Sequence, residues 1–281
     1  MKRRQFLGAL GAASLLQAQV PDPNAIFICP MDPDVRSHDP GTCPRCGMKM
    51  AAGLPEPAEY HLDITASPRV VRPEKPVSLT FAVTDPWKHR PVTKFQLVHE
   101  KLFHMFVVSE DLEFFLHDHP VFAPDGKFHY NNLVLPKAGM YRILGDFYPD
   151  AATPQLIAKT LLVPGDAPSR MHGSDVRESE NLTFSTVPEL PYAAMSTQLH
   201  FKLKSAQGLQ QYLGAWAHML IASDDLVDML HLHPFIADGG PDIQFTATLP
   251  RPDHTYRMWI QYQRNGVVNT ERFDVRSNDI R

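Results

Sequence analysis

The sequence predicts a mainly β protein, built as a short cysteine knuckle followed by two homologous immunoglobulin-like or cupredoxin-like β-sandwiches. Three observations carry that expectation. Twenty-six Pro outnumber 15 Gly, and because Pro interrupts helix interiors and central strands alike, such a chain favours short strands joined by loops. Runs rich in β-branched and aromatic residues recur between Pro, Gly and Asp, at 77–84, 103–108, 128–135 and 141–147, which is the strand pattern. A 17-residue segment then returns 114 positions later without a gap. His104 to Pro120 reads H-M-F-V-V-S-E-D-L-E-F-F-L-H-D-H-P and His218 to Pro234 reads H-M-L-I-A-S-D-D-L-V-D-M-L-H-L-H-P, with 9 positions identical. The chain therefore holds two copies of one domain.

Composition is otherwise ordinary: 43% hydrophobic and 21% charged residues suffice for large buried cores. A net charge of -4 gives no reason to expect a nucleic-acid partner. Fourteen His and 11 Met stand beside only 3 Cys, and all three types supply soft or borderline metal ligands. The chain opens with Lys2, Arg3 and Arg4 and an apolar stretch over 6–16, too short to cross about 30 Å of hydrocarbon, and Ala18 offers a small residue for cleavage. Residues 1–19 are expected to be an export signal. Arg3-Arg4-Gln5-Phe6-Leu7 resembles the twin-arginine signal, with Lys2 where that pattern usually has Ser or Thr. The resemblance implies a periplasmic or secreted protein exported already folded. No other apolar stretch approaches membrane length, so the mature chain is expected to carry no membrane span.

The segment 25–52 gathers all three cysteines. Cys43-Pro44-Arg45-Cys46-Gly47 forms a tight turn in which two thiolates face one point and backbone N–H groups can reach the sulfurs. Cys29 supplies a third sulfur from upstream, and Met31, Met48 and Met50 add thioethers. So short a piece has little core of its own and would be ordered by a metal ion. The alternative is a Cys43–Cys46 disulfide, which an oxidising compartment would permit. Residues 27–50, F-I-C-P-M-D-P-D-V-R-S-H-D-P-G-T-C-P-R-C-G-M-K-M, resemble the heavy-metal-binding domain of copper-translocating ATPases and of periplasmic adaptors of copper and silver efflux. That resemblance implies a metal site on Cys29, Cys43 and Cys46. The family usually has His after C-P-M, where this chain has Asp32. The fourth ligand is thus open among Asp32, His38, Met31 and Met48, a carboxylate favouring zinc over Cu(I).

Past a linker near 51–59, the first repeat is expected at 57–165 and the second at 181–278, joined by the polar stretch 164–180. Lys137-Ala138-Gly139-Met140-Tyr141 has the form of a tyrosine corner. The repeated segment predicts a hairpin with its turn centred on Glu110-Asp111, and on Asp224-Asp225 in the second copy. A symmetric turn sets His104 opposite His117, with His119 on the same face two residues on. His218, His231 and His233 are placed identically. Each domain then offers three imidazoles to Cu(II) or zinc, while Met105, Val107, Phe114 and Leu116 face the core. Phe106 and Phe115 share the histidine face, so the same rings also fit a plain core role. His61, His89, His99, His129 and His254 are expected to be scattered and solvated or singly hydrogen-bonded.

No nucleotide loop, G-x-S-x-G elbow or H-E-x-x-H helix occurs, so no catalytic residue is assigned and the chain is not expected to be an enzyme. The competing enzyme reading is a metal-dependent oxidase or hydrolase on a three-histidine site. The favoured expectation is an exported protein that sequesters or transfers copper or zinc, copper first. A third reading makes the sandwiches a docking module for a metal efflux or resistance component, with metal bound at the knuckle alone.

Overall fold

The computed structural model describes residues 27–31, 35–53, 58–150, 152–166, 171 and 173–280. The expected export signal over 1–19 and Asp32 lie outside the described residues. All regular structure among the described residues is strand, and every strand pairing is antiparallel. Among the described residues no helix is long and apolar enough to cross a membrane.

The knuckle has three two-residue strands, β1 (Phe27–Ile28), β2 (Arg36–Ser37) and β3 (Ala51–Ala52), with β1 in the middle. The first sandwich follows as β4 (His61–Ser67), β5 (Pro76–Thr84), β6 (Phe103–Ser109), β7 (Phe115–Asp118), β8 (Val121–Phe122), β9 (Phe128–Val134), β10 (Gly139–Phe147) and β11 (Gln155–Val163). One sheet runs β4-β5-β9-β8 and the other β11-β10-β6-β7. On β5 the alternation of Val77, Leu79, Phe81 and Val83 with Ser78, Thr80, Ala82 and Thr84 sends every second side chain into the core, as period 2 dictates. Met105 and Val107 meet them from β6, with Phe114 and Leu116 at the margin.

The second sandwich repeats the plan with β12 (Leu182–Val187), β13 (Ser196–Leu203), β14 (Leu209–Gln210), β15 (His218–Ser223), β16 (Met229–Leu232), β17 (Asp242–Thr248), β18 (Thr255–Arg264) and β19 (Val267–Arg276). Its sheets are β12-β13-β17 and β14-β18-β15-β16, with β19 also on β18. Asn265 and Gly266, both at positive φ (51° and 76°), make the two-residue turn between β18 and β19 that such hairpins prefer. The tyrosine corner is present: Tyr141 Oη donates to the Lys137 carbonyl at 2.9 Å, and Tyr256 makes the matching bond to Arg251.

The register of the repeated hairpin differs from the expected one. Phe106 lies opposite His117 and Met105 opposite Asp118, which makes His119, not His117, the next partner of His104. The loop is four residues long, 110–113, because Asp111 accepts from Ser109 Oγ (2.5 Å) and the Glu113 amide (3.2 Å) while Leu112 takes φ 56°. The pairing moves by two residues, so each side chain keeps its face. The same shift occurs in the second copy, where Met219 faces Leu232 and Leu220 faces His231.

Both β6 and β15 are buried along their whole length, since their outer faces press on each other. Phe106, Val108, Leu112 and Leu144 from the first sandwich join Leu220, Ala222, Leu226 and Trp259 from the second in one apolar cluster, and Phe115 stacks on Trp259 with ring centroids 5.0 Å apart. At the rim Arg257, held by Asp274 (2.8 Å), reaches across to Glu113 and to the Leu112 carbonyl. The histidine face is thus neither solvent nor sandwich core. It is the joint between the two repeats.

A candidate metal centre between the sandwiches

Each hairpin brings its three expected histidines together. Ligand nitrogens of His104, His117 and His119 lie within 4.8 Å of one another, as do those of His218, His231 and His233. The surrounding bonds assign the tautomers. His104 Nε2 donates to the Val98 carbonyl at 2.9 Å, leaving Nδ1 with its lone pair. His117 Nδ1 donates to Gln261 Oε1 at 2.6 Å, and the Gln261 amide nitrogen is itself committed to Thr270, so His117 keeps a lone pair on Nε2. Yet His104 Nδ1 and His117 Nε2 stand 3.1 Å apart, and His119 Nε2 is 3.2 Å from the same Nδ1. Two acceptors facing each other repel unless a cation lies between them. Bonds of about 2.0 Å in a tetrahedral site put ligand nitrogens about 3.3 Å apart, close to what is seen.

The second triad follows the same plan. His218 Nε2 donates to the Tyr212 carbonyl at 2.9 Å and His231 Nδ1 meets Asp146 Oδ2 at 2.5 Å. What remains are His218 Nδ1, His231 Nε2 and His233 Nε2, all buried and none with a hydrogen-bond partner. Orphaned buried nitrogens carry a desolvation cost that a ligand would remove.

The orienting groups cross the joint. Asp146 pairs with His104 on the first sheet but holds His231 of the second sandwich; Gln261 pairs with His218 and holds His117 of the first. Ring centroids of His104 and His231 are 5.8 Å apart, and those of His117 and His218 are 6.0 Å apart. The six rings form one cluster.

A seventh ring was not expected here. His99 and Glu100, at φ 45° and 64°, form a two-residue turn between Val98 and Lys101, and the turn tucks His99 against His233 at 3.8 Å between centroids. It is buried, its Nδ1 near the Leu213 carbonyl and its Nε2 unpartnered, so the expectation of a scattered, solvated ring fails. The available signal was that position 99 aligns with Leu213 in a matching turn, Tyr212 to Ala215. His61 and His89 are exposed, as expected.

Burial holds six of these rings, His99, His104, His117, His119, His218 and His233, neutral. It pushes His99 and His104 down to about 4 and His119 to about 3, with repulsion from neighbouring rings adding to it. His117, His218 and His233 are lowered well below the usual imidazole range for the same reasons. Burial pushes Asp146 up, but the hydrogen bond from His231 works against it and the carboxyl stands below its ordinary value. Neutral imidazole is the form a metal needs.

The knuckle makes the third group. Cys29, Cys43 and Cys46 converge, all buried, with no disulfide among them, and Cys29 Sγ lies 3.5 Å from Cys46 Sγ. Tetrahedral bonds of about 2.3 Å would set sulfurs about 3.8 Å apart. Gly47 at φ 74° closes the turn, its amide bonded to the Cys43 carbonyl. Contact with Cys29 and burial both raise the Cys46 thiol, and burial raises Cys43. Met48 and Met50 are buried beside the thiols with Met31 packed at the edge, whereas His38 is exposed. Val98 and Tyr148 complete this cluster. Val98 therefore touches the knuckle with its side chain and holds His104 with its carbonyl.

Comparison with known proteins agrees at the level of family. Similar solved structures include the Escherichia coli adhesin FdeC, at 15% identity over 83% of this chain and 68% of that one with TM-score 0.28. A two-domain fibronectin type III segment of chicken tenascin shows 10% identity over 79% of this chain and 99% of that one, with TM-score 0.23. No curated protein matches the chain. Residues 26–52 match the heavy metal binding domain, so the knuckle is a heavy-metal-binding module. Residues 56–160 and 177–279 each match one further family, and the chain belongs to that family, described as a domain of unknown function (DUF8832).

Proposed function

We propose that this chain is an exported carrier of heavy-metal ions, copper before zinc, which takes an ion at the cysteine knuckle and holds or passes it on at the histidine centre. The observation that carries the reading is the convergence of three buried thiols and two buried histidine triads into adjacent groups. The chemistry of the donors favours copper: thiolates with buried thioethers nearby suit Cu(I), and imidazoles suit Cu(II) or zinc. Adjacency supports transfer, since one turn, Val98 to Lys101, contacts the knuckle, anchors His104 and carries His99.

Elemental analysis of protein purified from its exported form tests this. Saturated protein is expected to hold three ions per chain, one at the knuckle and two among the histidines, with copper predominant. A stoichiometry of one ion per chain, lost when Cys46→Ser is introduced, would favour instead a docking module of a metal efflux system in which the knuckle alone binds metal.

A further inference from the structure

Resting on that reading of the histidines as ligands, we propose that the two triads are one dinuclear metal centre whose halves are unequal, the half at His218, His231 and His233 being the tighter. Two observations support the pairing. The rings of the two triads lie within contact range, His104 and His231 at 5.8 Å and His104 and His218 at 6.4 Å between centroids. Since an ion sits about 3 Å from the centroid of a ring that binds it through a bond of about 2.0 Å, two ions here are separated by no more than about 12 Å. Each half also depends on the other sandwich, because the ring bonded to Gln261 or to Asp146 is oriented from across the joint. Undocked, neither triad keeps that orientation.

The inequality follows from two places where the repeats depart from symmetry. The two orienting positions correspond, each lying opposite the first histidine of its own hairpin, yet one is a buried carboxylate and the other a neutral amide. A carboxylate that accepts the N–H of a ligating imidazole raises the basicity of the other ring nitrogen and offsets the charge of the ion, and such groups typically change metal affinity about 10–100-fold. The second half also has His99 beside it with an unpartnered Nε2, and the position that matches His99 in the other repeat is Leu213, which offers no ligand. Both differences favour the same half.

Cu(II) titration followed by electron paramagnetic resonance decides the matter, on the full chain bearing Cys29→Ser, Cys43→Ser and Cys46→Ser so that thiols do not reduce the probe. Two Cu(II) ions should bind in separable steps. The first should give an isolated copper spectrum with nitrogen couplings, and the second should bring dipolar broadening and a half-field transition. Asp146→Asn keeps the hydrogen bond to His231 and removes only the charge, so it should weaken the first step about 10–100-fold and spare the second. If that variant does not fold, Gln261→Glu should narrow the gap between the steps by tightening the weaker one. Two ions without dipolar coupling, or a charge change that moves both steps equally or neither, would overturn the dinuclear proposal and leave the carrier reading standing. Absence of Cu(II) uptake would remove the histidine sites from both.

Discussion

Lowering the pH of the metal-free protein should destabilise it steeply between about pH 6.5 and pH 4, and the size of the effect follows from the buried rings. His99 and His104 titrate near 4 and His119 near 3 in the fold, against an ordinary value of about 6.5 in an unfolded chain. Above pH 6.5 both states hold these rings neutral and their contribution is nil. As the pH falls, the unfolded chain binds protons first, so stability is lost until the folded rings also titrate. At pH 5.5 one such ring costs about 1.4 kcal/mol, and three cost about 4 kcal/mol, or about 3 kcal/mol once repulsion shared among the rings is counted only once. The lowered His117, His218 and His233 act in the same direction. Against a typical stability of about 5–15 kcal/mol this is a large fraction. Urea unfolding after exhaustive chelation, at pH 7.0, 6.0 and 5.5, reads it directly. The midpoint should fall with pH, and the slope should be shallower in His104→Leu, whatever that change does to the stability at pH 7. A midpoint unchanged from pH 7 to 5.5, or a slope that His104→Leu leaves intact, would refute the assignment of these rings as buried and neutral.

Proton counts should separate the two kinds of site: at pH 7 ion binding to the raised thiols of the knuckle should release protons, while binding to the already neutral histidines should release almost none. Calorimetric titrations of the knuckle variant and the parent chain in two buffers of different ionisation enthalpy check this; equal release from both would contradict it. Gly145 precedes Asp146 on β10, and a Cβ there would stand 2.5 Å from Phe103 Cζ and 2.9 Å from Leu62 Cδ2. Gly145→Ala is expected to cost about 1–3 kcal/mol by overpacking and, by displacing Asp146, to weaken metal binding at the second triad. Thermal unfolding and metal titration on one sample would show both effects or neither.

The fold was legible because its signals are local. Period 2 on β5 and β6 separates core from outer face, the Lys137 to Tyr141 sequence marks the tyrosine corner, and an ungapped repeat marks two domains. The hairpin register was less legible. A symmetric turn is the simplest closure of H-M-F-V-V-S-E-D-L-E-F-F-L-H, but Asp111 bonds Ser109 and Glu113 and lengthens the loop, and only the parity of the strands keeps the histidines on one face. The joint between the sandwiches was not legible at all, since nothing local encodes which surface a domain presents to its copy. Its trace was Phe106 and Phe115 on a face already excluded from the core. Aromatic rings so placed must be buried by something, and in a duplicated chain the nearest complementary surface is the duplicate.

That complementarity explains why both triads could persist beside so many apolar side chains. A histidine face on a single sandwich would leave Phe106, Leu112 and Leu144 in water or force the imidazoles into the core. Docking the two copies buries Phe106, Leu112, Leu144, Leu220 and Trp259 around the rings, and the backbone carbonyls of Val98 and Tyr212 satisfy one nitrogen of each leading histidine. The other ring nitrogens in the second triad, His218 Nδ1, His231 Nε2 and His233 Nε2, are buried with no protein group to satisfy them. Within the buried joint a proton or a metal ion would lower their energy. The depressed pKa of the rings makes the proton costly at neutral pH, so at neutral pH the same burial that welds the repeats together favours the metal ion.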